Sequence, residues 1–205
     1  FMGPPDFPED VFERAAAGQW LREGVCLLFL SAAQQRANLV VLGAENSRRA
    51  GKEGKVGALK KLVESVPDGS LIFFFDGLDV IFVHDIATIL RASARFDLDR
   101  TVYISTERNC WDYPNMGPPP EREGGSRHYD KYPKSPTTWR YVNTGGVFAK
   151  VGANFRTFMR AWEACIHAGL PDQHCGHLFY TKDPRAARFL NGANLTVQVD
   201  QLCEI

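Results

Sequence analysis

The sequence has no excess of either charge, with 24 Lys and Arg residues against 24 Asp and Glu residues and a formal net charge of +0. A neutral protein lacks the general attraction to nucleic acid and to anionic membranes that a basic protein has. We therefore expect no nucleic-acid partner. Any phosphate group that this protein binds must be held by local contacts or by a metal ion.

Long apolar runs are also absent from the sequence. The longest run near the start, at residues 25–30, falls well short of the roughly 20 residues that span a bilayer. We therefore expect no transmembrane segment in this chain. Residue 1 is Phe and not an initiator methionine, so we expect the chain to be a piece of a longer protein.

Cysteines are few and do not show the spacing of a metal site. The sequence has five, with no CxxC pair: Cys26, Cys110, Cys165, Cys175 and Cys203. Neither a zinc ribbon nor a dense disulfide framework is predicted. The cysteines do not indicate whether the protein resides in an oxidising or a reducing compartment. The hydrophobic content of 44% and the charged content of 23% are typical of a folded globular domain.

Segments with helical and strand patterns alternate along the chain, which is typical of an α/β protein. Helices are predicted at residues 9–37, 53–66, 85–95 and 154–168, and strands at 38–42, 71–75, 101–105, 141–150 and 195–205. The apolar run LIFFF at 71–75 is typical of a central strand that helices cover on both faces. Residues 110–136, crowded with Pro, Gly and charges, predict a long loop of the kind that binds substrates.

Two carboxylates, Asp76 and Asp79, follow the apolar strand at 71–75. Open α/β sheets bind ligands at the carboxyl ends of their strands. Two hard oxygen ligands at such a point can hold Mg²⁺ or Mn²⁺ and leave coordination positions free for a diphosphate. In the alternative interpretation, Asp76 caps a turn and Asp79 is solvated.

A pair of glycines interrupts the predicted strand at 141–150. Gly145 and Gly146 can let the backbone approach a ligand closely, because neither carries a side chain. The alternative is that they form a tight turn or a bulge.

A polar cluster follows Pro171. Asp172 and Gln173 can orient a sugar hydroxyl or steady a reaction centre, or they can cap the helix that begins there. A zinc hydrolase that uses Asp172, His174, Cys175 and His177 is a further alternative, but the spacing of a zinc site is missing. We predict that the two histidines are polar surface residues.

Ordered blocks of the sequence resemble the glycosyltransferase domain of the procollagen lysyl hydroxylase family. Residues 74–80 (FFDGLDV) are similar to the family's metal motif Phe-x-Asp-x-x-Asp-Val, and residues 54–56 (GKV) to its Gln-Lys-Val segment. Residues 105–107 (STE) with 110–111 (CW) are similar to Ser-Ala-Glu followed by Cys-Trp-Pro. Residues 141–146 (YVNTGG) are similar to Leu-Asn-Ser-Gly-Gly, and 172–173 (DQ) with 178–181 (LFYT) to Asp-Asp-Gln-Leu-Phe-Tyr-Thr.

The resemblance implies a GT-A fold, which is a Rossmann-like, three-layer α/β sandwich with a mostly parallel central sheet. It implies transfer of a hexose from a UDP-sugar to a hydroxyl acceptor such as galactosyl-hydroxylysine, with glucose as the first candidate for the hexose. The transfer would retain the anomeric configuration of the donor and would use Mn²⁺ or Mg²⁺ as cofactor. The partners would be the nucleotide-sugar donor and a glycan or glycosylated protein. The location would be the lumen of the endoplasmic reticulum or Golgi, or outside the cell.

By the same resemblance, residues 1–205 form a single glycosyltransferase domain that lacks the first nucleotide-binding strand and the C-terminal end, where the family has a third metal ligand. Asp76 and Asp79 would ligate the metal, and Asp172 and Gln173 would be the catalytic residues. The residues implied for nucleotide-sugar binding are Lys55, Trp111, Asn143, Thr144, Gly145 and Gly146. The alternative is a non-catalytic carbohydrate- or collagen-binding module on the same fold.

Overall fold

The computed structural model describes residues 23–37, 39–42, 51–76, 80, 82–108, 111–112, 115–116, 132–192 and 195–199. The chain forms two compact units. One consists of Phe1–Val40 and Phe75–Ser93, and the other of Val41–Phe74 and Ala94–Ile205. In the described part of the chain, no helix is both long enough and apolar enough to cross a membrane.

Helices and strands alternate as the sequence predicts, but residues 9–22 of the first predicted helix and 200–205 of the last predicted strand lie outside the described residues. The helices are α1 Glu23–Gln34, α2 Gly51–Ser65, α3 Ile86–Ser93, α4 Ala153–His167, α5 Asp172–Tyr180 and α6 Ala187–Leu190, with a 3-10 turn at Pro184–Ala186. The strands are β1 Leu71–Phe75, β2 Thr101–Glu107, β3 Trp111–Asp112, β4 Asn115–Met116, β5 Tyr141–Lys150 and β6 Thr196–Val199. Within the long loop predicted at 110–136, β3 and β4 pair as a small antiparallel sheet.

The strand predicted at 38–42 is wrong for residues 39–42, which form no strand; Asn38 lies outside the described residues. Val40 and Val41 are 67% and 55% exposed. An apolar run forms a buried strand only where neighbouring strands and helices cover it. The described part of the chain leaves Val40 and Val41 exposed, whereas Leu42 is half-buried against the core. Composition alone therefore gave the wrong element here.

The first unit contains α1 and α3. Ser31 on α1 accepts a hydrogen bond from the Phe82 backbone N–H at 2.9 Å through its hydroxyl oxygen. Asp85 stands just before α3, and its Oδ1 accepts the Thr88 N–H at 2.7 Å. This is the geometry of an N-cap, which satisfies a backbone donor that the first turn of a helix leaves without an intrahelical partner.

The main sheet lies in the second unit and has the strand order β1-β5-β2-β6. Strand β2 is antiparallel to β5 and parallel to β6. Strand β1 also runs antiparallel to β5, because Val151 exchanges hydrogen bonds with Gly69 and Ser70, and Phe73 then stacks on Phe148. The described sheet is mixed, so the mostly parallel sheet and the GT-A layering are not confirmed by these strands.

A three-residue bulge interrupts the pairing of β2 and β5. Ile104 is paired with Val147, but the next residue, Ser105, is paired with Asn143. Residues 144–146 therefore have no partner on β2, and we call them the β5 bulge. Bulges bend a strand and redirect its side chains, and they are frequent beside functional sites.

The core forms where α2 and α4 pack on each other and on the sheet. Val56, Leu59 and Val63 face inward from α2 at helical spacing, as the sequence predicts. Helix α4 contributes Phe158 and Trp162, both fully buried. Burying an aromatic or branched aliphatic side chain stabilises a protein by roughly 1.5–3 kcal/mol, so these side chains hold α2 and α4 firmly together.

Helix α5 is joined covalently to α4. Cys165 on α4 and Cys175 on α5 form a disulfide with a Cα–Cα distance of 6.1 Å. The turn between the helices contains Gly169 at φ +84°, a conformation that residues with a side chain rarely adopt. The indole Nε1 of Trp162 also donates to the Asp172 carbonyl oxygen at 3.3 Å. The start of α5 is therefore held on α4 at several points.

Candidate functional site

Polar side chains from α2, β5 and α5 meet at the β5 bulge. We call this group the polar junction, and its members are Lys55, Asn143, Thr144, Asp172 and Gln173. All five were predicted as binding or catalytic residues from the sequence. The fold brings them together because α5 begins at Asp172 and packs against the first half of β5.

An ion pair between Lys55 and Asp172 crosses the polar junction. Lys55 Nζ lies 3.0 Å from Asp172 Oδ2, and the two side chains are 21% and 7% exposed. Lys55 Nζ also donates to the Thr144 carbonyl oxygen at 3.4 Å and lies 5.9 Å from the centre of the Phe74 ring. Because both charges are largely shielded from water, screening weakens this pair less than it weakens a surface pair.

Gln173 uses both ends of its side-chain amide to hold the bulge. Its Oε1 accepts the Thr144 backbone N–H and the Thr144 hydroxyl, each at 3.0 Å. Its Nε2 donates to Glu107 Oε1 at 2.7 Å and to the Val142 carbonyl oxygen. A single glutamine therefore connects α5 to β2 and to both sides of the point where the bulge begins.

The backbone of the bulge is fixed by short-range contacts as well. Asn143 Oδ1 accepts the Gly145 N–H at 2.7 Å, and the Ser105 hydroxyl donates to the Asn143 carbonyl oxygen at 2.7 Å. A Cβ on Gly146 would lie 2.6 Å from Ser105 Oγ. The second glycine is thus needed to make room for Ser105, as the bulge interpretation of the sequence expects.

Asp172 is the first residue of α5 and follows Pro171, whose extended backbone ends the preceding turn. A carboxylate in the first turn is stabilised by the partial positive charge at the start of a helix. Its side chain is also turned to Lys55 on another helix. Both the helix start and Lys55 therefore place positive charge beside this carboxylate.

The structure describes only one of the two predicted metal ligands. Asp76 comes directly after β1 and is exposed, within the first unit, and Asp79 lies outside the described residues. Among the residues that the structure describes, no three His, Cys, Asp or Glu side chains form a group that could hold a metal ion. An exposed carboxylate at a strand end is a hard oxygen donor of the type that Mn²⁺ and Mg²⁺ bind, so Asp76 fits one ligand position.

Trp111, predicted as a nucleotide-sugar-binding residue, lies in β3. Only its backbone is described, and its position in the site stays a prediction. Residues 117–131 of the predicted loop lie outside the described residues.

The prediction that His174 and His177 lie on the surface is wrong, because they are 7% and 0% exposed. Helix α5 is packed between α4 and β5, so nearly all its faces are covered. The zinc alternative also loses support. The sulfur of Cys175 is bonded to Cys165, and a disulfide sulfur is not the thiolate that binds zinc.

Two residues of this region were missed as functional candidates. Glu107 ends β2 and accepts a hydrogen bond from Gln173; its place at the carboxyl end of a predicted strand was the available signal. Tyr132 is buried; its hydroxyl oxygen accepts the Val142 N–H and is also hydrogen-bonded to His177. It belongs to a stretch rich in Pro, Gly and charges, and nothing in that stretch indicates a buried residue.

Comparison with protein families gives one result that covers most of the chain. Residues 21–205 match the family model described as "PLOD GT domain". Comparison with curated proteins gives no match. The family match includes every residue of the polar junction and both predicted metal ligands.

Proposed function

The chain belongs to the family of PLOD glycosyltransferase (GT) domains, and on that basis we propose that it transfers a hexose from a UDP-sugar to a hydroxyl acceptor. The observation that carries this proposal is the shielded Lys55–Asp172 ion pair, which lies beside the β5 bulge and Gln173. A cation next to a carboxylate provides a positive charge that can bind the diphosphate of the donor and a negative charge that can act on its sugar.

Lys55 is suited to bind the diphosphate of the donor. Its side chain is 21% exposed, so it is not sealed from an incoming phosphate group. A diphosphate carries more negative charge than a carboxylate and attracts the ammonium more strongly in a shielded site. Donor binding would therefore draw Lys55 away from Asp172.

Asp172 would then be able to turn its carboxylate to the sugar. A carboxylate released from Lys55 can accept a hydrogen bond from a hexose hydroxyl and stabilise positive charge that develops at the anomeric carbon. We assign it this orienting role and not that of a base, because the proposed reaction retains the configuration of the donor. The acceptor hydroxyl oxygen bonds to the anomeric carbon as the bond from that carbon to the UDP oxygen breaks, and the hydroxyl proton passes to the departing UDP phosphate.

Gln173 and Thr144 would keep this geometry in place during the reaction. Three hydrogen bonds from one side chain to the bulge and to Glu107 leave the start of α5 little freedom. Groups held in position before the reaction lower the barrier, because they need not reorganise as charge develops.

We include a divalent cation, Mn²⁺ or Mg²⁺, in the proposal, with Asp76 and Asp79 as ligands. Asp76 supplies an exposed carboxylate after β1, and Asp79 follows it in the same motif. When bound, the cation would neutralise charge on the UDP leaving group.

We propose a glycan or glycosylated protein, such as galactosyl-hydroxylysine in a collagen chain, as the acceptor. We propose the lumen of the endoplasmic reticulum or Golgi, or the extracellular space, as the location. The Cys165–Cys175 disulfide supports this, because structural disulfides form and persist mainly in oxidising compartments.

The proposal is tested by measuring hydrolysis and binding of UDP-glucose and UDP-galactose, with Mn²⁺ and with chelator. Asp172→Asn should lower kcat about 100-fold, as removal of one charge-stabilising group does in other enzymes. Lys55→Met should raise the donor KM about tenfold, the effect of losing one charged contact. Asp76→Ala/Asp79→Ala should abolish the dependence on metal.

Lys60→Met is the matched control, because Lys60 lies on the same helix and pairs instead with Glu64 and Glu163. It should leave both kinetic constants unchanged. Wild-type protein that binds neither donor, with or without Mn²⁺, would contradict the proposal. Binding of collagen or a glycan by that protein would support the non-catalytic module instead.

A further inference from the structure

Val142 stands just before the polar junction, and side chains bind both of its backbone groups. Its N–H donates to the Tyr132 hydroxyl oxygen at 3.0 Å, and its carbonyl oxygen accepts from Gln173 Nε2. The N–H and C=O of one strand residue point to the same side of the strand. Tyr132 and Gln173 therefore approach β5 side by side, in the place that a neighbouring strand would take.

Tyr132 also contacts α5 directly. Its hydroxyl forms a short hydrogen bond with His177 Nδ1, and the two rings are 5.5 Å apart. The hydroxyl oxygen accepts the Val142 N–H, and its own proton is available to Nδ1 when the His177 ring carries its proton on Nε2. Tyr132 is buried and His177 is fully buried, so water does not compete for this bond.

Gln173 and His177 lie on the same face of α5, because they are four residues apart, about one helical turn. Gly176 lies between them on that face. A Cβ there would come within 2.7 Å of Thr144 Cγ2 and 2.8 Å of Val142 Cγ1. The helix thus touches β5 at the glycine and is hydrogen-bonded on both sides of it, through Gln173 directly and through His177 by way of Tyr132.

We propose that Tyr132 and His177 are positioning residues for the transfer reaction. They fix the position of α5 along β5 and its rotation about its own axis. They thereby fix where Asp172 and Gln173 lie at the start of α5. This inference rests on the proposed function for its kinetic consequence, although the positional coupling is independent of it. Neither residue needs to touch the substrate.

The kinetic test uses Tyr132→Phe, which removes the hydroxyl and keeps the ring contacts with Tyr141 and Tyr180. We expect kcat for UDP-sugar hydrolysis to fall about tenfold, because the variant loses the buried hydrogen bonds of the hydroxyl to both Val142 and His177, with the donor KM unchanged within about twofold. The matched control is Tyr103→Phe, which removes the hydroxyl of a similarly buried tyrosine on β2 and should change neither constant.

A second pair of variants protects the test against simple misfolding. His177→Asn keeps an acceptor near the position of Nδ1, whereas His177→Leu removes it. We expect His177→Asn to retain more kcat than His177→Leu when both melt at the same temperature. Equal loss in the two variants would overturn the role of the hydrogen bond.

A readout that does not depend on catalysis separates this inference from the proposed function. The indole N–H of Trp162 donates to the Asp172 carbonyl oxygen, and the Thr144 N–H donates to Gln173, so both protons report on the start of α5. In NMR spectra of Tyr132→Phe, the Trp162 indole signal should shift and the Thr144 amide should exchange at least tenfold faster. In Tyr103→Phe both should match the wild type.

The outcomes are distinct. Unchanged Trp162 and Thr144 signals in Tyr132→Phe would overturn the positioning role, whether or not the chain hydrolyses UDP-sugars. If both signals respond but wild-type protein hydrolyses no UDP-sugar, the coupling stands and the proposed function fails. Changed signals together with an unchanged kcat would refute the kinetic part of the inference.

Discussion

Replacing Gly176 with Ala should destabilise the protein, although Ala is the better helix former. The same change at Gly57, on α2, should stabilise it. The added methyl group at residue 176 would lie 2.7 Å from Thr144 Cγ2 and 2.8 Å from Val142 Cγ1, whereas at residue 57 it would have nothing within 4 Å. The two variants therefore receive the same chemical change in a closed and in an open environment.

The magnitude follows from two opposed effects. Ala in place of Gly inside a helix contributes about 1 kcal/mol of stability. Overpacking a core costs roughly 1–3 kcal/mol, and the upper part of that range applies here, because Thr144 and Val142 are buried and their branched side chains have few alternative rotamers. Thr144 also cannot turn away without losing its hydrogen bond to Gln173. We expect a net loss of about 1–2 kcal/mol for Gly176→Ala and a gain of about 1 kcal/mol for Gly57→Ala.

Thermal unfolding of the two variants and the wild type gives the comparison directly. For a domain of this size, 1 kcal/mol shifts the Tm by about 2–4 °C. The Tm of Gly176→Ala should therefore fall by several degrees, while the Tm of Gly57→Ala rises by a few. A rise of similar size in both variants would mean that α5 does not lie in direct contact with β5, and the described packing would be refuted.

Two further predictions concern the disulfide and the α3 cap. Replacing Cys165 and Cys175 with Ala should destabilise the protein by about 2–3 kcal/mol, because the bond closes a loop with a sequence separation of 10; a urea midpoint that is the same for the oxidised wild type and the double variant would count against the bond. The Thr88 N–H holds the pKa of the Asp85 carboxyl below its ordinary value of 3.8, so its stabilising effect is present above that pH and is lost as the pH falls through the lowered pKa. Acid unfolding followed by circular dichroism should show this component in the wild type and not in Asp85→Asn, which keeps the cap but does not titrate.

Hydrophobic pattern was sufficient to predict most of the elements that form the frame of the site. The apolar run at 71–75 is β1 with the same bounds, and the stripe of Val56, Leu59 and Val63 is the buried face of α2. These predictions succeed because strand and helix periods act locally, over a few neighbouring residues. The run at 38–42 shows the limit, since a strand also needs neighbours that its own residues do not specify.

The contacts of α5 could not be predicted from the sequence. His177 is buried because Tyr132, 45 residues away in the sequence, accommodates its ring nitrogen, and a single sequence does not reveal such pairs. The disulfide between Cys165 and Cys175 was equally hidden, because connectivity cannot be deduced from five cysteines. Residues 174–177 separate the DQ and LFYT segments, which are continuous in the family motif. These four residues amount to about one helical turn of α5, so Gln173 and His177 lie on the same face of the helix.

The β5 bulge corrects the alternation of side chains along its strand. Val142 and Val147 are five residues apart, so in an unbroken strand they would point to opposite faces. The register instead pairs them with Thr106 and Ile104, which are two residues apart and share a face. Because the bulge has an odd number of residues, both valines enter the same side of the core. Deleting or inserting one residue at 144–146 would reverse one half of β5, whereas a change of two residues would preserve its facing. The fold therefore requires an odd number of residues in the β5 bulge, whatever the chemistry of their side chains.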